Sequence, residues 1–127
     1  MTTNRSTMGT RFVNRQMTLV DAVPIMVLDL EGALLRIGRG DVVDQLRKVS
    51  LERWSYDETA DAAYLYVRSP GNLDSTDENI AGEKPGETVS LYDELGINLD
   101  LDDQKRLVGV EILGAGYLVE QLAGIAK

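Results

Sequence analysis

The chain has 127 residues and carries 21 acidic side chains against 13 basic ones, which gives a formal net charge of −8. It contains neither cysteine nor histidine, and this excludes disulfides, thiolate or imidazole zinc sites and nucleophile pairs that use histidine. The composition predicts one globular domain that works in the cytoplasm, spans no membrane and repels nucleic acid.

Residues 1–17 show little hydrophobic periodicity and hold Arg5, Arg11 and Arg15 with no acidic residue. We interpret this stretch as an N-terminal arm on a single domain that covers residues 18–127. Such an arm stays ordered when something holds it, and we expect a second copy of the chain to do so. The sequence therefore predicts a homodimer or a larger homo-oligomer.

Two apolar runs surround Glu31 and Gly32 in residues 24–37. A proline at the first position and a central turn are typical of a strand, a turn and a second strand. A helix is the alternative, because leucine and alanine are good helix formers and short apolar runs are ambiguous.

Residues 41–49 have the spacing of an amphipathic helix. Val42, Leu46 and Val49 recur at i, i+4 and i+7, which places them on one apolar face. Asp41 stands where a side chain can cap the N-terminus of this helix. We predict that the helix packs on the sheet through its apolar face.

Residues 51–68 are two runs of β-type residues on either side of a polar turn. Their alternating aromatic and apolar side chains predict an antiparallel hairpin. Asp57 and Asp61 flank its turn, where carboxylates cap backbone amides, and a paired-carboxylate site is the alternative. A long loop at residues 69–86 and a short strand at residues 87–92 follow.

The segment 97–113 allows two interpretations. Four residues match positions 1, 3, 5 and 12 of a calcium-binding loop: Asp100, Asp102, Gln104 and Glu111. Position 6 of such a loop is a glycine, and here it is Lys105. Both flanks alternate with a period of two, so we predict a β-hairpin that binds no metal, with Asp100 and Asp102 on its solvent face.

At the end of the chain, Leu118, Leu122 and Ile125 share one face of a short C-terminal helix. The elements together predict an α+β fold, in which antiparallel β-hairpins form a small sheet with one packed helix near residues 41–49. The expected core residues are Val42, Leu46, Val49, Leu65, Val67, Val108, Val110 and Ile112.

Two motifs, YDETADAAYLYV at residues 56–67 and INLDLDDQKRLVGVEILGA at residues 97–115, carry a family resemblance. In this order they resemble the YuzE-like family of small bacterial proteins of unknown function, over residues 52–115. The family usually has a glycine in the turn of the second motif, where this chain has Lys105 or Arg106. The resemblance implies a compact unit of β-hairpins, sometimes encoded near toxin-like partners, and carries no catalytic residue.

Three classes of function remain. We expect a non-catalytic protein-interaction module that forms homo-oligomers and needs no cofactor, because short strands leave unpaired edges. An antitoxin-like neutraliser of a basic toxin partner is the first alternative. The second is a carboxylate-based enzyme, which requires its acidic residues to converge. The acidic cluster that could serve it consists of Asp57, Asp61, Asp100, Asp102 and Glu111.

Overall fold

A computed structural model describes residues 7–69, 85–118, 120 and 122. Within these residues, six antiparallel strands form one sheet in the order β1-β2-β3-β6-β5-β4. The strands are β1 (Thr7–Thr18), β2 (Ser50–Asp57), β3 (Ala62–Arg68), β4 (Pro85–Leu91), β5 (Ile97–Asp102) and β6 (Leu107–Leu113). The helices with described bounds are α1 (Leu19–Ala22), α2 (Pro24–Arg36), α3 (Gly40–Leu46), α4 (Tyr92–Leu95) and the 3₁₀-helix Ala115–Leu118. The α+β class is confirmed.

Two hairpins meet at the centre of the sheet. β2 and β3 form the first, and β5 and β6 form the second, so both predicted hairpins are confirmed. Strands β3 and β6 pair with each other, which places Tyr64 opposite Glu111 and Leu65 opposite Val110. The short strand predicted at residues 87–92 is β4, at one edge of the sheet.

One face of the sheet packs against the helices. Trp54 of β2, Leu65 of β3 and Leu99 of β5 are fully buried there, in one cluster with Leu30 of α2 and Leu46 of α3. The residues predicted for the core are all buried: Val42, Leu46, Val49, Leu65, Val67, Val108, Val110 and Ile112. Among the described residues, the apolar side chains of the sheet and of the helices are therefore buried together on this face.

The interpretation of residues 24–37 as strand, turn and strand is wrong, because Pro24–Arg36 forms the helix α2. Its buried residues recur with the helical period: Met26, Val27, Leu30, Ala33 and Leu34. Other apolar residues fill the outward positions between them, so the sequence shows two continuous runs instead of a stripe. Pro24 starts the helix, where a missing backbone N–H costs nothing.

The helix predicted at residues 41–49 is α3, but Asp41 does not cap it. The capping position is Arg39, whose side chain makes no capping hydrogen bond. Asp41 instead accepts two bonds of 3.1 Å from the Arg39 guanidinium, which also donates to Glu87 of β4 at 2.8 Å. These hydrogen bonds to Arg39 hold the pKa values of both carboxylates below their usual range. They fasten α3 to the edge of the sheet.

Residues 7–17 of the expected N-terminal arm, together with Thr18, form β1 and pair along β2 of the same chain. Residues 1–6, residues 70–84 of the loop predicted at 69–86, and Ile125 of the predicted C-terminal helix lie outside the described residues, whereas Pro85 and Gly86 belong to β4. Leu118 and Leu122 of that helix are buried, as their shared apolar face predicts.

The turn between β5 and β6 has a left-handed residue at its end. The Asp102 carbonyl accepts a bond from the Lys105 N–H, and the Asp102 N–H donates to the Arg106 carbonyl, both at 2.9 Å. Lys105 has a φ of 64°, a conformation for which hairpin turns of this length favour glycine. The Gln45 side chain of α3 also holds this turn, because its amide nitrogen donates to the Lys105 carbonyl at 2.8 Å.

We expect Lys105→Gly to raise the free energy of unfolding by about 1 kcal/mol, since glycine relieves the cost of a left-handed conformation. Lys105→Ala is the matched control, because it also removes the ammonium group near Glu87 but keeps a Cβ. Urea unfolding of the three proteins measures the effect. Equal stability of the glycine and alanine variants would contradict the expectation.

Candidate functional site: the open face of the sheet

The side of the sheet that faces away from the helices carries polar and aromatic side chains. We call this side the open face, and its central residues are Arg53, Tyr64, Tyr66, Asp100 and Glu111. The strand register brings them together, since Tyr64 lies opposite Glu111 and Tyr66 lies between Arg53 and Gly109. All five are partly buried, so they pack against one another while remaining accessible to solvent.

Tyr64 reaches across a whole strand. Its hydroxyl donates to the Asp100 carboxylate at 2.7 Å, although β6 lies between β3 and β5. Gly109 of β6 makes the crossing possible, because a Cβ at this position would lie 1.8 Å from the Tyr64 hydroxyl oxygen. The Tyr64 ring therefore occupies the space that a side chain at position 109 would need.

The proton of this bond stays on Tyr64. Burial and the hydrogen bond to Asp100 raise the pKa of Tyr64 well above its usual value. The other oxygen of the Asp100 carboxylate accepts a bond of 2.9 Å from the Thr88 hydroxyl of β4. Each carboxylate oxygen thus has a donor from the chain itself, and the three side chains link β3, β5 and β4.

A cation–π contact extends the open face towards β2. The Arg53 guanidinium carbon lies 4.0 Å from the centre of the Tyr66 ring, and the rings of Tyr64 and Tyr66 meet edge to face with 4.7 Å between their centres. Glu111 accepts a bond of 3.1 Å from the Asn98 amide. The arrangement offers aromatic surface, one guanidinium group and two carboxylates, and both carboxylates already accept hydrogen bonds from the chain.

The first hairpin turn uses its two acids in different ways. Asp57 accepts bonds from the backbone N–H groups of Thr59 and Ala60, at 3.0 and 3.3 Å, which is the predicted capping of turn amides. The Asp61 carboxylate accepts from the Tyr56 hydroxyl at 2.6 Å instead. The bond between Tyr56 and Asp61 thereby joins the end of β2 to the start of β3.

Asp61 also joins this turn to the end of β6. Its φ of 52° is in the left-handed region. Its carbonyl oxygen accepts bonds from the N–H groups of Gly114 and Ala115, at 2.8 and 3.0 Å. The residue thus connects the two family motifs through its backbone carbonyl, while its side chain bonds Tyr56 within the first motif.

The prediction that Asp102 lies on the solvent face is wrong. Only 2% of this residue is exposed. A register shift between Asp100 and Leu101 interrupts the alternation just before it. Its carboxylate accepts from the N–H of Gln104 at 2.8 Å, and from the backbone and side chain of Arg106 at 2.9 and 2.8 Å. Asp102 therefore stabilises the turn through hydrogen bonds to both of its carboxylate oxygens.

The structure does not bring the five predicted acids together. Asp100 and Glu111 share the open face, whereas Asp57, Asp61 and Asp102 serve two separate turns. Among the described residues no group of three or more carboxylates is placed to hold a metal ion. Sequence reasoning missed the crossing of Tyr64 over Gly109, for which a glycine in the middle of a strand was the available signal.

A family model described as a protein of unknown function (DUF2283) matches residues 53–115. The match covers β2 from Arg53 onward, β3, β4, the second hairpin and the open face, and it leaves β1, α1, α2 and α3 outside. No curated protein and no solved structure gave a match. Within the described ranges, every helix is too short or too polar to cross a lipid bilayer.

We expect Gly109→Ala to lower the free energy of unfolding by about 3 kcal/mol, because a Cβ displaces the Tyr64 ring and breaks its bond to Asp100. Gly40→Ala is the matched control. A Cβ there meets its nearest atom at 3.8 Å, an ordinary contact, and the change should stay within about 0.5 kcal/mol. Denaturant unfolding measures both variants.

A double-mutant cycle separates this clash from a general effect on β6. In a Tyr64→Ala background the ring is absent, and Gly109→Ala should then cost less than about 1 kcal/mol. If the glycine substitution costs the same with and without the ring, Tyr64 is not the reason for the glycine.

The raised pKa of Tyr56 predicts that the protein loses stability at alkaline pH. The hydrogen bond to Asp61 is the main cause that raises the pKa of Tyr56, to about 12, whereas the pKa of a tyrosine in the unfolded chain is about 10. The folded state therefore holds this proton more tightly. The contribution of the protonated Tyr56 to the free energy of unfolding is complete below about pH 10 and is lost as the pH rises through about 12.

Tyr56→Phe should flatten the fall in the free energy of unfolding above about pH 10, since phenylalanine has no proton to lose. Urea unfolding at a series of alkaline pH values measures the slope. Parallel curves for the parent and the variant would show that the bond to Asp61 does not favour the protonated phenol.

Proposed function

We propose that this chain is a non-catalytic protein-interaction module that works as a homo-oligomer. The outer side of α2 carries the proposal. Ile25, Leu28 and Leu35 on this helix are 70%, 63% and 61% exposed. Isolated exposed apolar residues are common on proteins, but several on one helix face form a patch of the kind that marks interaction surfaces.

The bonding of the motif residues supports a non-catalytic role. Tyr56 bonds Asp61, Tyr64 bonds Asp100, and Asp102 holds a turn through three hydrogen bonds. These residues build a scaffold within residues 53–115, and the apolar patch lies outside that segment. Helix α2 packs on the sheet that contains this scaffold, through one shared buried cluster.

We also propose that the matched family is the YuzE-like family of small bacterial proteins that the two motifs resemble. The absence of cysteine from the sequence supports a cytoplasmic location. An antitoxin-like neutraliser of a basic toxin partner is a second candidate function, which the net charge of −8 favours. Binding of that kind weakens steeply as salt is added, whereas apolar pairing does not.

Leu28→Glu tests the patch. The substitution should weaken self-association at least tenfold, because it places a carboxylate in the apolar contact. The fold of the single chain should be unaffected, since Leu28 is mostly exposed. Light scattering over a range of concentrations, with urea unfolding beside it, measures the two effects.

Tyr92→Glu is the matched control for Leu28→Glu, because Tyr92 is an exposed apolar residue of α4, 55% accessible. It should leave association unchanged. A parent chain that is monomeric at high micromolar concentration would refute the homo-oligomer. A dimer that both variants weaken equally would place the interface elsewhere.

A further inference from the structure

We infer that the α2 helices of two copies pack antiparallel about a two-fold axis, with Leu28 of each copy over Gly32 of the other. This inference rests on the proposed function, to which it adds the partner surface, the orientation and the register. The occupant is a second copy of the chain because the outer face of α2 is complementary to itself.

The complementarity is in the order of residue sizes. Ile25, Leu28, Gly32 and Leu35 stand at i, i+3, i+7 and i+10, within an arc of roughly 80° at 100° per residue. An antiparallel copy reverses the order, so that Leu35 faces Ile25 and Gly32 faces Leu28. Each large side chain then meets either another apolar side chain or the gap above a glycine.

Among the described residues of its own chain, no neighbour requires a glycine at position 32. A Cβ at this position would meet its nearest atom, a nitrogen of Arg36, at 3.6 Å, which is ordinary van der Waals contact. Glycine is also among the least favourable residues in a helix interior. The close approach of a second helix supplies a reason for glycine here, since it leaves room for the Leu28 side chain of the other copy.

A groove beside α2 offers a second point of fit. Its apolar lining consists of Val20, Pro24, Val27 and Leu28. In the antiparallel register, Leu35 of the other copy lies level with Ile25, one residue from Pro24, and on the flank of α2 that the groove follows. At the groove edge, Arg47 and Glu31 are paired with each other, since Arg47 donates to Glu31 at 2.7 Å.

A parallel pair fits less well. It would place Leu28 against Leu28 and Gly32 against Gly32, which leaves a gap at the glycines and brings the groove no partner side chain. The surface of a single helix pair is also smaller than a standard interface of about 800 Å² per partner. We therefore expect a dimer in exchange with the monomer, and a test that captures the contact covalently.

The sequence contains no cysteine, so introduced cysteines report on α2 alone. Leu28→Cys and Gly32→Cys, one of them carrying an affinity tag, are mixed in equal amounts and oxidised. The antiparallel register places these two positions opposite each other, and we expect the mixed disulfide to exceed each self-linked product at least fivefold. Ala60→Cys, in the exposed turn between β2 and β3, is the control for random collisions.

The outcomes separate the register from the proposed function. Self-linked products in excess would overturn the antiparallel register and leave the homo-oligomer standing. A second outcome would have the same meaning: light scattering shows that the parent is a dimer, but the cysteines in α2 cross-link no faster than Ala60→Cys. A parent chain that is monomeric at high micromolar concentration would refute the proposed function itself.

Gly32→Ala provides a second test that needs no disulfide. It should raise the thermal stability of the dilute chain, because alanine favours the helix and fits the space around α2. It should also weaken the dimer at least tenfold, because the added methyl group fills the gap for Leu28. A stabilised chain with unchanged self-association would overturn the inference.

Discussion

One face of the six-stranded sheet is apolar and must be buried, and the positions of the helices follow from this constraint. The apolar side chains of this face, with Trp54, Leu65 and Leu99 fully buried, need a cover, and α1, α2 and α3 provide it. Because α2 contributes Leu30 and Leu34 to the core and still carries apolar residues outward, it both closes the core and forms the molecular surface. The open face on the other side is left to polar and aromatic contacts.

The hairpins could be predicted because one buried face leaves a period of two in the sequence. The helix α2 could not, since apolar residues on both of its sides hide the helical period. Asp102 shows a second limit of prediction from the alternating pattern. The register shift that follows Asp100 places the Asp102 side chain in the buried turn and not on the solvent side. A bulge of this kind has no signature in an alternating pattern.

The acidic residues of the candidate site could be identified in the sequence, but the partners that their side chains contact depend on which strands are neighbours in the sheet. The pairing of β3 with β6 decides that Tyr64 meets Gly109 and Asp100, and residues far apart along the chain do not reveal it. Acids that looked like a shared site serve the scaffold instead. Asp61, for example, bonds Tyr56 and the backbone after β6.

The position of β6 between β3 and β5 also bears on how the chain folds. Strands β4, β5 and β6 follow one another and return to β3, in the order of a Greek key. The two hairpins can form from local contacts, but β3 and β6 must meet across a long stretch of chain, and this closure costs entropy before it gains contacts. The docking of the two hairpins is therefore the step that should limit the folding rate, and lengthening the connection from β3 to β4 should slow it only slightly, because closure entropy grows with the logarithm of length.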